Sequence, residues 1–242
     1  MQAGSASWKA FLFGSSDAAN TITVDKPPAS LWPAALAVRV FGLSPWSLLV
    51  PQALMGVATV AVVHAAVRRS FGAVAGLVSG AVLALTPVAA LMFRYDNPDA
   101  LLTLLLAVGA YTALRAIEDD RVRWYVLTGA VIGLAFLTKQ LQALVVVPGF
   151  ALALLVAGAG TLWRRIRGLL VAGAALVASA GWWVALVELR PEGARPYIGG
   201  SEGNSFLDLT FGYNGLGRIT GEGNGPGGGF GPPGAPWRGS RG

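Results

Sequence analysis

The stretch WSLLVPQALMGVATVAVVHAAV, residues 46–67, decides the fold, because it runs for 22 residues without an Asp, Glu, Lys or Arg. A helix needs roughly 20 apolar residues to cross about 30 Å of hydrocarbon. The whole chain shares this character, since 54% of its 242 residues are hydrophobic and only 12% are charged. This composition is typical of a membrane protein and excludes an ordinary soluble domain.

Further apolar runs predict an all-α polytopic membrane protein with about six transmembrane helices. A single helix over residues 124–162 would be roughly 58 Å long, about twice the hydrocarbon thickness. We therefore place a break within residues 139–142. The predicted spans are residues 46–67, 72–93, 100–116, 124–138, 141–162 and 168–189.

The loops between these spans alternate in charge. Arginines occupy residues 68–69, 115–123 and 163–167, and the positive-inside rule places those loops in the cytoplasm. The opposite, extracytoplasmic face then holds Asp25, Lys26, residues 94–99, Lys139 and everything after Arg190. The sequence therefore predicts a polar site on the extracytoplasmic face of the cell membrane.

The same reading divides the chain into four parts. Residues 1–45 form an external loop with short amphipathic helices at 7–13 and 31–41. Residues 46–189 form the membrane region, and residues 190–222 form a second external loop. Residues 223–242 are rich in Gly and Pro and predict a disordered tail. An external N-terminus without a visible signal peptide leads us to expect a missing N-terminal membrane helix.

Asp25-Lys26-Pro27-Pro28 is the first motif that suggests chemistry. The two prolines fix their own φ and keep Lys26 out of the α region, so both charges lie on a stiff, extended segment. An ammonium group held beside a carboxylate suits a phosphate accompanied by a divalent cation. Alternatively, Lys26 is an ordinary surface lysine, and Asp25 is an exposed acid or a helix cap.

The second motif is Arg94-Tyr95-Asp96-Asn97-Pro98-Asp99, just before the third span. Its structural interpretation is helix capping, with Asn97 as N-cap and Asp99 in the first turn. A carboxylate fixed at that position also suits a ligand or a base for a hydroxyl acceptor. Asp96 and Asn97 then line the polar site. Arg94 is either a snorkelling residue or a phosphate clamp.

Other polar and aromatic residues carry weaker signals. Lys139 follows a span of only about 15 residues, so its ammonium should lie near the hydrocarbon edge, where ionisable groups are functional candidates. His64 is the only histidine and is interpreted as a packed residue. Trp182 and Trp183 predict an interfacial aromatic belt. The chain has no cysteine, which excludes disulfides and thiolate chemistry.

The net charge of +6 does not indicate nucleic acid, since the arginines lie beside apolar spans and form no stripe with interleaved aromatics. A multi-span transporter of unknown substrate is the competing hypothesis. Transporters place ionisable groups near the membrane midplane, whereas these charges lie at span ends. A membrane scaffold without chemistry would leave both charged motifs unexplained.

Several segments together resemble bacterial GT-C glycosyltransferases related to protein O-mannosyltransferases and aminoarabinose transferases, and most closely their actinobacterial branch. The similarity covers residues 8–221. The segments are DKPPASLW at 25–32, the Arg68-Arg69 turn, RYDNPDA at 94–100, GLAFLTK at 133–139 and FGYNGLGR at 211–218.

The resemblance implies a hexosyl- or pentosyltransferase, similar to mannosyltransferases, that moves sugar from a polyprenyl-phosphate donor to an unidentified protein, lipid or cell-wall acceptor. Lys26 and Lys139, together with Arg94, would bind the donor phosphate. Asp25 would be a ligand to Mg, Mn or Zn, and Asp99 would be the essential acid. No organic cofactor is expected. The family's first membrane helix, and the acceptor-activating carboxylate after it, would precede this chain.

If these residues form one site, Asp25, Lys26 and Asp99 must meet although about seventy residues separate them in sequence. Charged groups more than about 15 Å apart cannot share one ion and one phosphate, even through a bridging water. Convergence of the two motifs at one face is therefore the main structural expectation.

Overall fold

The computed structural model describes residues 1–191, 194–201 and 203–212. Within these residues extended structure is limited to two isolated bridges, Ser15 with Thr23 and Ile22 with Tyr197. The predicted all-α class is confirmed. The helices are α1 (Gln2–Ala6), α2 (Trp8–Phe13), a 3-10 helix (Pro28–Ser30), α3 (Trp32–Phe41), α4 (Pro45–Leu85), α5 (Pro87–Met92), α6 (Pro98–Asp119), α7 (Val122–Lys139), α8 (Leu141–Leu144), α9 (Val147–Ala157), α10 (Leu162–Glu188) and α11 (Phe206–Phe211).

The longest helix, α4, folds back on itself at Gly72. Gly72 has φ 87° and ψ 174°, a conformation that glycine adopts without a steric penalty. A Cβ placed on Gly76 would lie 2.6 Å from the Cβ of Arg68, and one on Gly80 would lie 3.5 Å from the Cβ of His64. Segments 45–71 and 73–85 therefore pack side by side as two antiparallel helices.

The membrane region follows the predicted spans. In the described part of the chain, α4, α6, α7 and α10 are long and apolar enough to cross a membrane, and α8 with α9 form a shorter apolar stretch. Because α4 contributes two antiparallel segments, this arrangement agrees with about six membrane segments. The predicted span 72–93 is interrupted at Thr86, where Pro87, which has no N–H, begins α5.

Helix α7 is the centre of the bundle, packed between α6 and α10. The hydroxyls of Thr112 and Thr128 lie 3.0 Å apart across the contact with α6. On the other side Gly129 and Gly133 approach the backbone of α10, and Ser179 donates a hydrogen bond of 2.8 Å to the carbonyl of Ala130. Small residues allow this close approach between membrane helices.

Helices α1 to α3 and the 3-10 helix form a layer over one end of the bundle. The indole N–H of Trp183 donates to the carbonyl of Leu12 at 2.8 Å, and its ring meets Phe206 edge to face at 5.0 Å. Trp183 is only 2% exposed, whereas Trp182 is 48% exposed. The aromatic-belt interpretation is therefore wrong for Trp183, which belongs to the core beneath the layer.

The domain boundaries stay a prediction. Helices α2 and α3 fall in the two stretches expected to be amphipathic. The Gly/Pro-rich tail at 223–242 lies outside the described residues.

The contact between α7 and α10 should be intolerant of one added methyl group. A Cβ on Gly129 would lie 1.9 Å from the carbonyl oxygen of Ala172. Gly129→Ala should therefore lower the free energy of unfolding by about 1–3 kcal/mol through overpacking. Gly173→Ala is the matched control, since its added Cβ would meet nothing within 4 Å. Thermal unfolding in detergent measures both variants, and equal midpoints would contradict this packing.

Candidate functional site

The helical bundle has two polar ends. The Asp99 end comprises the N-termini of α4 and α6, the loop between α5 and α6, the C-terminus of α7 and the overlying layer. The Asp120 end comprises the turn between α6 and α7 and the N-terminus of α10. All the predicted site residues lie at the Asp99 end.

Asn97 organises the loop that carries the second motif. Its side-chain oxygen accepts hydrogen bonds from the backbone N–H of Asp99 at 2.8 Å and of Ala100 at 3.2 Å. Its amide donates to the carbonyls of Met92 at 2.6 Å and Tyr95 at 3.1 Å. Asn97 is therefore the N-cap of α6 and fixes Asp99 in the first turn.

Lys139 and Asp99 form an ion pair that the sequence did not predict. The Nζ of Lys139, in the last turn of α7, lies 2.5 Å from the Oδ1 of Asp99. Their side chains are only 19% and 34% exposed, respectively. The pair joins α6 to α7 and brings a predicted phosphate ligand against the predicted essential acid. The Oδ2 atom of Asp99 is not used in this contact.

The first motif forms an ion pair of its own. Lys26 Nζ lies 2.8 Å from Asp25 Oδ2, with the two side chains 28% and 44% exposed. Pro27 is extended, with φ −61° and ψ 156°, and the buried 3-10 helix begins at the next residue. Asp25 and Lys26 themselves lie in a bend, so the extended backbone expected for the motif is present at Pro27, and its rigidity stays a prediction. The carboxylate of Asp25 is already engaged by the neighbouring ammonium.

The 3-10 helix carries the first motif towards the second. It packs against α6 and α7, and Ala29 shares a core cluster with Leu137, two residues before Lys139. Ser30 and Leu31 line a small cavity of about 70 Å³ together with Asp96, Asn97 and Pro98. The structure therefore brings the segment that follows Lys26 against the loop that holds Asp99.

Asp96 is bound by a residue that sequence reasoning missed. Gln52, in the first turns of α4, donates a hydrogen bond of 2.6 Å to Asp96 Oδ1. Although Asp96 as a residue is exposed, burial around its carboxylate raises its pKa, against the lowering effect of the hydrogen bond from Gln52. Gln52 is 1% exposed. A glutamine inside an apolar span was the signal that could have identified it.

Gln140 lies at the predicted break between two spans but was not among the predicted site residues. It ends α7 directly after Lys139, with φ 48° and ψ −129°, a strained conformation for a residue with a side chain. Gln140 is 3% exposed. Among the described residues its Nε2 atom has no hydrogen-bond partner. A strained backbone and an unsatisfied buried donor therefore lie next to the Asp99–Lys139 pair, a combination that marks functional sites.

Arg94 and Asp17 take no part in the contacts described above. Arg94 is exposed, and within the described residues its guanidinium has no hydrogen bond or ion pair. Asp17, another carboxylate of the N-terminal layer, accepts hydrogen bonds from the hydroxyl of Thr21 at 2.6 Å and from the Thr21 N–H. The hydroxyl contact is the main cause of its lowered pKa. The Asp17 carboxylate therefore stabilises the loop formed by residues 17–21.

A divalent metal finds few ligands in this arrangement. The described residues contain no group of three or more His, Cys, Asp or Glu side chains able to hold a metal ion. Asp25 is the one predicted ligand and its carboxylate contacts Lys26. The donor set does not fit a protein-held metal site, so we assign no step to a metal.

Residues 213–218 of the last family segment lie outside the described residues.

A double-mutant cycle tests the Asp99–Lys139 pair. Asp99→Asn and Lys139→Gln should each lower the free energy of unfolding by about 1–2 kcal/mol, since each leaves a partly buried charge without its partner. The double variant should lose less than the sum, with a coupling of about 1 kcal/mol. Denaturant unfolding in detergent provides the values. Asp99→Asn combined with Lys9→Gln is the control and should be additive, whereas additivity of the main cycle would contradict the pair.

Comparison with known proteins places the chain in a family. The family described as dolichyl-phosphate-mannose-protein mannosyltransferase matches residues 25–184. Two Bacillus subtilis (strain 168) proteins are similar, "Putative mannosyltransferase YkcB" at 39% identity over 90% of this chain and "Putative mannosyltransferase YycA" at 38% over 88%. The chain spans only 30% and 31% of their lengths.

Solved structures of ArnT from Cupriavidus metallidurans share the fold. The apo structure has 27% identity and a TM-score of 0.61, covering 78% of this chain and 37% of ArnT. The structure bound to undecaprenyl phosphate has 23% identity and a TM-score of 0.66, covering 88% and 40%. The resemblance to GT-C enzymes is confirmed, and closeness to the actinobacterial branch stays a prediction. The chain belongs to the dolichyl-phosphate-mannose-protein mannosyltransferase family of GT-C membrane glycosyltransferases.

Proposed function

We propose that this chain forms the donor-side part of a membrane glycosyltransferase, which moves a sugar from a polyprenyl-phosphate carrier to an acceptor hydroxyl. The observation that carries the proposal is the contact at the Asp99 end between the segment that follows Lys26 and the loop that holds Asp99, within the residues that match the family. The ArnT structure with undecaprenyl phosphate supports a polyprenyl carrier. The acceptor is a protein, a lipid or a cell-wall glycan.

Lys26 is the proposed ligand for the donor phosphate. It lies next to Pro27 and a buried 3-10 helix, which restrict the backbone, so little backbone freedom is lost on binding. Its partner Asp25 is 44% exposed, and an exposed carboxylate can turn towards solvent when phosphate arrives. Arg94, exposed in the neighbouring loop, adds a second cation, and Lys139 contributes positive potential from its place beside Asp99.

Asp99 is proposed as the base for the acceptor hydroxyl, in place of the carboxylate that the family resemblance would put before this chain. Its Oδ1 atom accepts from Lys139, which leaves Oδ2 to accept the proton of an acceptor hydroxyl. The acceptor oxygen then forms a bond to the anomeric carbon as the bond from that carbon to the phosphate oxygen breaks. The electron pair of the broken bond stays on the polyprenyl phosphate, where Lys26 stabilises it. A single displacement of this kind inverts the anomeric centre.

The extracytoplasmic face is the proposed location of this chemistry. The Asp120 end carries eight arginines against three acidic residues within 68–69, 115–123 and 164–167, and the positive-inside rule assigns such an end to the cytoplasm. The Asp99 end then faces outward. Family membership does not favour the transporter hypothesis, and the paired charges lie at helix ends instead of the midplane.

Replacement of Lys26 tests the proposal. In the purified full-length protein that contains this chain, Lys26→Ala should lower the rate of sugar transfer from polyprenyl-phosphate mannose by a factor on the order of a hundred, because the leaving phosphate loses its cation. Transfer of radiolabelled mannose to membrane acceptors measures the rate. Lys9→Ala is the matched control, since Lys9 is an exposed lysine in the same layer. Wild-type turnover in a folded Lys26→Ala variant would remove Lys26 from the mechanism.

A further inference from the structure

We propose that the Asp120 end holds a separate site for the phosphate group of an anionic phospholipid. A cavity of about 240 Å³ lies there between the N-terminus of α10 and the start of α7. Its polar lining comes from Asp120, Tyr125, Arg164 and Arg167. This cavity is at the opposite end of the helices from Asp99, so the inference does not depend on the proposed transferase activity.

The floor of the cavity is built by a close contact between α7 and α10. A Cβ on Gly168 would lie 2.4 Å from the ring of Tyr125, so only glycine leaves room for the tyrosine there. Tyr125 is 2% exposed, and its hydroxyl donates to Asp120 Oδ1 at 3.2 Å. The tyrosine and aspartate thus close the inner side of the cavity with a fixed polar surface.

Several arginines near the cavity are already bonded to other groups of the protein. Arg69 is bonded to Glu118, Arg115 to Asp119 at 2.5 Å, and Arg165 to the carbonyl of Leu155 at 2.7 Å. These contacts hold helix ends together and leave those guanidinium groups occupied.

Arg164 and Arg167 have no comparable partners. Arg164 reaches Asp120 Oδ2 only at 3.8 Å and its side chain is 70% exposed. Arg167 is exposed and has no hydrogen bond or ion pair among the described residues. With one carboxylate against two arginines, the cavity keeps an excess positive charge. Guanidinium groups bind phosphate through paired N–H donors.

The rest of the lining points to a lipid as the source of that phosphate. Val122 and Val171 complete the wall, and Val122 is 64% exposed. Val126, one turn further along α7, is 40% exposed. A polar floor with two arginines, continued by exposed valines towards the membrane, matches a phosphodiester headgroup followed by acyl chains. Basic pockets between membrane helices recognise anionic headgroups in this way.

Retention of phosphatidylglycerol by the purified protein tests the site. The protein is delipidated in detergent, mixed with phosphatidylglycerol or phosphatidylcholine, and bound lipid is counted by native mass spectrometry. Arg164→Gln with Arg167→Gln should lower the apparent affinity for phosphatidylglycerol at least tenfold. The matched control is Arg121→Gln with Arg123→Gln, which removes the same charge at the same end outside the cavity lining. It should change the affinity less than twofold.

A second variant keeps the test valid if the Arg164→Gln, Arg167→Gln variant fails to fold. Val122→Glu puts a negative charge on an exposed position of the wall and should also abolish tight retention while circular dichroism stays unchanged. Equal losses in both arginine pairs would reduce the effect to general surface charge and overturn the site. Equal retention of phosphatidylcholine and phosphatidylglycerol by the unmodified protein would also overturn the site. Displacement of the lipid by millimolar inorganic phosphate would show a site for free phosphate and overturn the lipid assignment.

Discussion

The charge of Lys139 must be compensated where α7 leaves the membrane, and Asp99 provides that compensation. An ammonium group near the hydrocarbon edge is costly unless it is paired. The 2.5 Å contact crosses from the last turn of α7 to the first turn of α6. It depends on Asn97, whose side chain fixes the start of α6. Pairing and capping together set the relative height of the two helices and therefore the geometry of the whole Asp99 end.

The charged residues at the two ends of the bundle make different kinds of ion pair. At the Asp120 end, Arg69 and Arg115 bind Glu118 and Asp119 and thereby tie α4 and the end of α6. At the Asp99 end, Lys26 and Lys139 each hold one carboxylate and retain some solvent exposure. Exposed ion pairs contribute little to stability, so the pair of Asp25 with Lys26 contributes little to the fold, in keeping with the phosphate-binding role proposed for Lys26.

The sequence predicted what depends on local constraints. Hydrophobic length located the spans, and the length limit on one crossing located the break that the structure has at Gln140. The Asn-Pro-Asp pattern predicted the cap of α6. The fold-back of α4 at Gly72 agrees with the predicted boundary between the spans 46–67 and 72–93. An uninterrupted helix of 41 residues would be about 60 Å long, too long for one crossing.

Contacts between distant residues were beyond local reasoning. The pairing of Lys139 with Asp99, the bond from Gln52 to Asp96 and the burial of Trp183 beneath the N-terminal layer each join segments that tertiary packing brings together. Trp183 was assigned to an interface because tryptophan at a span end usually lies there. The layer that covers it left no signal in that part of the sequence.

The most direct test of the central claim is a structure of the protein in a lipid nanodisc with undecaprenyl phosphate. The account predicts that the phosphate binds at the Asp99 end, within hydrogen-bonding distance of Lys26 Nζ, with Asp99 and Lys139 beside it. A phosphate more than about 15 Å from Lys26 and Asp99 would contradict the account, since one bridging water cannot span that distance. A phosphate seated only between Arg164 and Arg167 would contradict it equally.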